Sequence, residues 1–165
     1  MENLYLKICQ RIKERADLFI TNNLPPVNYI DLYRGQPLAP ERFELYDLPA
    51  LFLEYNINWE SNLLTLNVHV VTDQTHSTAS ISPNKLTGLQ IFTLYKVVKQ
   101  LLNDLSSETT GKLKLTGERP AEADVVNYQI LDFTCSIEES ELEEKFAHGT
   151  IESLNVEKKL TYNID

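Results

Sequence analysis

Two neighbouring segments alternate apolar and polar residues so regularly that they restrict this chain to folds built on a sheet. In "ALFLEYNINW" (50–59), Leu51, Leu53, Tyr55 and Ile57 fall on one side of a pleat. In "NLLTLNVHVVTD" (62–73), Leu64, Leu66, Val68 and Val70 fall on one side, and Thr65, Asn67 and His69 on the other. A period of two belongs to a strand, because a helix would scatter these apolar positions around its axis. Between them "ESN" supplies a polar turn of hairpin length. The pattern predicts an antiparallel pair with one buried and one wet face. Pro49 is expected at the first strand's start, where its missing N–H does least harm.

The rest of the chain supplies cover for that sheet and more strands. Residues 2–21 read as a helix, with Leu4, Ile8, Ile12 and Phe19 recurring on one stripe until "NNLPP" (22–26) stops it. "VNYIDLY" (27–33) reads as a strand and "RGQPLAPE" (34–41) as a loop. After a polar loop (74–84), residues 84–105 predict a long helix. Its broad apolar stripe includes Leu86, Leu89, Phe92, Leu94, Val98 and Leu102, and Asn84 or Ser82 offers an N-cap. "KLKLT" (112–116) and "DVVNYQILDFTCSIE" (124–138) return to alternation around a turn-like "GERPAEA". The second is long for one strand, so a bulge or bend is expected near Asn127 or Asp132. The fold class read from this order is α+β: a single layer of mainly antiparallel sheet covered by an N-terminal helix and a long central helix. Residues 1–138 form that domain. Residues 139–165 are an acidic extension, an extra edge hairpin or an arm that orders against a neighbour.

Composition narrows the functional classes. No apolar run reaches the roughly 18–20 residues of a membrane span. Lys7, Arg11, Lys13 and Glu14 interrupt the N-terminus, which is therefore read as something other than a secretory signal. Cys9 and Cys135 are then expected to be reduced, buried thiols in a cytoplasm. The net charge of −9 is uneven, with six Lys/Arg against fourteen Asp/Glu, a net of −8, in residues 101–165. Such a balance argues against ordinary nucleic-acid binding, which neutralises phosphates with basic surface.

Chemistry-bearing patterns are sparse. The five glycines are isolated, so neither phosphate-cradling motif is present. His69, Asp73 and His76 are the best metal-like set, although zinc needs three or four converging ligands. A solvent-side strand histidine plus a loop histidine is the commoner reading, and His148 is similar. Cys9 and Cys135 read as small core residues rather than nucleophiles. The carboxylate pairs Glu122/Asp124 and Asp132/Glu138 are of a kind any acidic chain offers. Trp59 is expected to plug the sheet edge, and Tyr29, Tyr33, Tyr46 and Tyr55 to line core margins or interfaces. No catalytic, cofactor-binding or metal-ligating residue is assigned, and an enzyme is the least favoured reading.

The residues "IDLYRGQ" (30–36), "LPALFLEYNINW" (48–59), "LLTLNVHVVTD" (63–73) and "YQILDFTCSIE" (128–138) carry a resemblance. With the helix ending at Leu105, the arrangement resembles the tail-terminator or tail-completion proteins of long-tailed bacteriophages and prophages. The resemblance implies an N-terminal helix leading to an aspartate-containing strand, a hairpin opened by a Pro-Ala strand, a long helix across the sheet and a closing strand. It implies a virion protein without catalytic residues. Such a subunit forms a ring, commonly sixfold, and its partners are copies of itself, the tail tube and the head connector. DNA would pass its lumen without specific binding, repelled by the acidic C-terminal third. Assembly would take place in the host cytoplasm. A non-catalytic ligand- or protein-binding module and an adaptor of a phage-tail-like secretion system are the alternatives.

Overall fold

In the computed structural model, which describes residues 1–73, 77–123 and 126–138, helices and strands follow in the order the alternation predicts. They are α1 (Glu2–Glu14), α2 (Ala16–Thr21), β1 (Tyr29–Leu32), β2 (Ala50–Asn58), β3 (Leu63–Asp73), α3 (Lys85–Gly88), α4 (Gln90–Leu102), β4 (Lys114–Pro120) and β5 (Val126–Ser136). One five-stranded sheet has the order β1-β2-β3-β5-β4, with β1 parallel to β2 and every other pair antiparallel. The α+β class is the one read from the sequence.

The hairpin at the centre forms because its register satisfies both strands at once. Leu51 pairs with Val70, Leu53 with Val68 and Ile57 with Leu64, so apolar residues of both strands share a face. β5 extends that face with Leu131, Phe133 and Cys135. Against it lie Leu4, Ile8, Ile12 and Phe19 from the N-terminal helices and Leu94, Val98, Leu101 and Leu102 from α4. At the tip, the Asn58 side chain accepts bonds from the Glu60 and Ser61 amides, and Asn62 takes a positive φ of 49°. Pro49 lies immediately before β2, its missing donor outside the ladder.

Several expectations are corrected. The first helix breaks at Arg15, whose φ of −111° and ψ of 29° leave helical geometry, although Phe19 beyond it remains fully buried. The 84–105 helix likewise divides at Leu89. The first turns of its apolar stripe leave Leu86, Leu89 and Phe92 exposed, with Phe92 set edge-on to Tyr95. Asn84 makes no side-chain cap; its amide instead donates to Ser82 Oγ. The "GERPAEA" turn begins later than expected, because β4 runs on through Pro120. The irregularity expected in β5 falls on its partner: β5 is continuous, and Thr116 is the extra residue between Leu115 and Gly117 of β4, opposite Asp132. Trp59 lies in the hairpin turn and stays over a third exposed, so it plugs no edge. The alternatives for 139–165 lie outside the described residues.

The second face of the sheet is not uniformly wet. One end carries a smaller core of Ala50, Phe52, Val71, Tyr128 and Ile130. The segment between β1 and β2 covers it with Tyr33, Tyr46 and Leu48. The Tyr46 ring meets Phe52 edge-on at 5.0 Å and stacks on Tyr29 at 5.4 Å. Gln36, 1% exposed, folds the start of this segment back: it accepts from the Arg34 amide and donates to the Leu32 carbonyl. Gly35 supplies the φ of 89° that this reversal needs.

Candidate functional site

The densest polar constellation lies on the second face, where β2, β3 and β5 bring Glu54, His69 and Tyr128 into line. His69 Nε2 is 3.1 Å from Glu54 Oε2, and its Nδ1 is hydrogen-bonded to the Tyr128 hydroxyl. The Tyr33 ring lies flat on the imidazole, 3.9 Å between centroids and 6° between planes. Asn67 donates to the same Glu54 oxygen at 3.2 Å. With a neutral imidazole every group is satisfied: the phenol donates to Nδ1, and Nε2–H donates to the carboxylate. Burial, first, holds the His69 pKa below its ordinary value, opposed by Glu54. Burial also raises the Tyr128 pKa, and the Tyr33 hydroxyl adds to the effect.

The line Glu54–His69–Tyr128 has the connectivity of a proton relay, but its geometry suits holding protons in place. His69 is 2% exposed, Tyr33 caps it, and the raised pKa keeps the Tyr128 phenol protonated rather than nucleophilic. Beside it, Arg119 pairs with Asp132 Oδ2, while Asp132 Oδ1 is buried without a partner among the described residues. The expected solvent-side position of His69 is therefore wrong. The loop after β1 folds over this face, which no period-two pattern in β3 could indicate.

The other candidate residues do not converge. Asp73 shares a face with His69, but four residues of strand separate them by about 13 Å. Asp73 is exposed, and His76 lies outside the described residues, as do Asp124 and His148. Among the described residues no group of three or more His, Cys, Asp or Glu could hold a metal ion. Asp132 and Glu138 are six residues apart along one strand direction, about 20 Å. Cys135 is buried and its thiol pKa is pushed up to about 11 by that burial. Cys9 is only partly buried, a correction, and its pKa is also raised by desolvation. Both cysteines are free.

Two concavities were not anticipated. A cleft of about 780 Å³ opens between α4 and the β4–β5 connection, lined by Leu38, Ile91, Phe92, Tyr95, Pro120 and Tyr128 among others. A groove of about 350 Å³ runs between α1 and the β1/β2 edge, lined by Met1, Tyr5, Leu32, Leu53 and Tyr55. Glu54, the missed partner of His69, could have been found from the register, since Phe52 opposite His69 puts Glu54 on its diagonal. No family model and no curated protein matches this chain.

Proposed function

We propose that this chain is a structural subunit of a phage or prophage tail. It forms a ring at the end of the tail tube or at the head–tail junction, and it carries out no catalysis. The observation that supports the reading best is the agreement between the element order and the arrangement the resemblance implies. Asp31 lies in β1, Pro49-Ala50 opens the β2–β3 hairpin, α4 packs on the sheet, and β5 closes beside β3. A surface for protein contact accompanies it: Leu86 and Phe92 of α3 and α4, with Leu38 across the cleft, expose apolar side chains. A patch of this kind meeting a different patch on the next copy gives a heterologous contact, which closes into a ring when the rotation allows. The excess of −8 in residues 101–165 would line the lumen and let DNA slide.

Native mass spectrometry and electron microscopy of the concentrated protein, alone and with tail-tube ends, test this reading. A closed ring of one stoichiometry is expected, with Phe92→Asp reducing its formation. A monomer under every condition, tube ends included, overturns it. A second reading, a module that binds a small apolar ligand, is favoured by the 780 Å³ cleft. It predicts a ligand whose binding Tyr95→Ala abolishes without any change in assembly.

A further inference from the structure

The apolar stripe of α4 outruns the apolar face of the strand beneath it. β5 turns Leu131, Phe133 and Cys135 toward the helices. Earlier in the strand the same side of the pleat carries Asn127 and Gln129. Their amide side chains resist dry packing, because burying an unbonded amide is costly. Ile91, Phe92 and Tyr95 of α4 line one cleft with them, and its volume of about 780 Å³ lies where the two surfaces fail to match. The two walls therefore differ. On the helix side the Phe92 ring, 61% exposed, stands edge-on to Tyr95, with centroids 6.1 Å apart and planes at 85°. On the strand side Asn127 and Gln129 offer amide carbonyls, and Glu122 in the β4–β5 connection offers a carboxylate. Among the described residues that line the cleft, Glu122 alone is charged, and no described residue forms an ion pair with it. Lys99 of α4 and Arg119 of β4, on the flanking elements, are engaged by Glu118 and Asp132.

We infer that this cleft binds a small organic ammonium ion with an aromatic body, an arylalkylamine. The inference rests on the second reading above, that the cleft is a ligand site, and adds the ligand's charge and shape. The aryl ring lies against Phe92 and Tyr95, where offset or edge-on contact between rings is favourable. An ammonium group has three donors and no acceptor. It matches a strand wall that presents one carboxylate and two amide carbonyls. An anion of the same shape would meet the Glu122 carboxylate with no lining cation to offset it. A neutral ligand would fill the helix side equally well but would forgo the charge-assisted bond at Glu122. The volume lies in the range of sites that enclose drug-sized molecules, so ring and ammonium head both fit within it.

Probes that share one body and differ in charge test it. Phenethylamine, phenethyl alcohol and phenylacetate are each titrated into the isotope-labelled full chain near neutral pH, and NMR shifts of the Ile91–Tyr95 and Asn127–Gln129 amides report binding. The amine is expected to bind at least about fivefold more tightly than the alcohol, the margin of a charged over a neutral hydrogen bond, and phenylacetate most weakly. Glu122→Gln, at an exposed position, should bring the amine to within about twofold of the alcohol and leave the alcohol unchanged. Ethylammonium, which has the charge without the ring, measures the general attraction of a chain of net charge −9 and should leave the cleft amides unshifted at the same concentrations. An alcohol that binds the cleft as tightly as the amine overturns the inference and leaves the ligand-site reading standing. Tightest binding of phenylacetate, equal shifts from ethylammonium, or a preference for the amine that survives Glu122→Gln overturns it in the same way. No shift at the cleft amides with any probe overturns both.

Discussion

Replacing Tyr128 with Phe removes one hydroxyl from the second face and leaves the ring that packs in its core. The structure makes the consequence calculable. His69 Nδ1 loses its donor, Tyr33 stacks 3.9 Å away, and the imidazole is 2% exposed, so water has no clear path to replace the phenol. A buried acceptor stripped of its partner loses the net bond and keeps its desolvation penalty, about 1–3 kcal/mol. For a chain of this size each kcal/mol moves Tm by about 2–4 °C, so a drop of about 2–12 °C follows. Urea unfolding near neutral pH measures it, and the slope with denaturant should stay constant while the midpoint falls. Tyr55→Phe, which removes a hydroxyl from a half-exposed ring, should change stability by less than about 0.5 kcal/mol. A Tyr128→Phe protein within about 0.5 kcal/mol of the parent would mean that His69 finds another donor and that the relay is not held as described.

Stability should also depend on pH through His69. Because its folded pKa lies below the ordinary value, the unfolded chain binds the proton more readily, and the contribution is complete above the unfolded pKa of about 6.5. It is lost progressively as pH falls below that value. Thermal melts between about pH 7.5 and pH 5.5 should show a decline that His69→Gln flattens, and an unchanged slope in that variant would remove His69 as its source. Leu66→Ala, in the fully buried row of β3, should cost about 2–5 kcal/mol in urea unfolding. Thr65→Ala, its neighbour on the opposite face, should cost less than about 1 kcal/mol, and similar losses at both positions would contradict the assigned register.

The legible parts of the fold were those where one face of one element decides the pattern. Leu64, Leu66, Val68 and Val70 are all fully buried, as their alternation predicts. Leu51 and Leu53 follow the same rule, while Tyr55 departs from it because β1 ends at Leu32 and, among the described residues, no strand continues beside its half of β2. Leu86, Leu89 and Phe92 continue the stripe of α4 in sequence but project beyond what the sheet covers. The polar constellation was largely hidden. Glu54, His69 and Tyr128 come from three strands, and their meeting depends on the β2–β3 and β3–β5 registers together. Tyr33 caps them only because the 33–49 segment folds back through Gly35 and Gln36.

By itself, the amino-acid order determined which stretches become strands or helices and which side of each turns inward. Those preferences are local, set by backbone sterics and by a repeat of two or of about 3.6 residues. The tertiary structure alone decided that His69 is enclosed, that Asp132 faces Arg119, and that β2 runs on past the end of β1 beside an apolar groove. Each of these depends on where a distant segment comes to rest and how far a neighbouring strand extends. Such distances in space carry no signature in the spacing of residues along the chain.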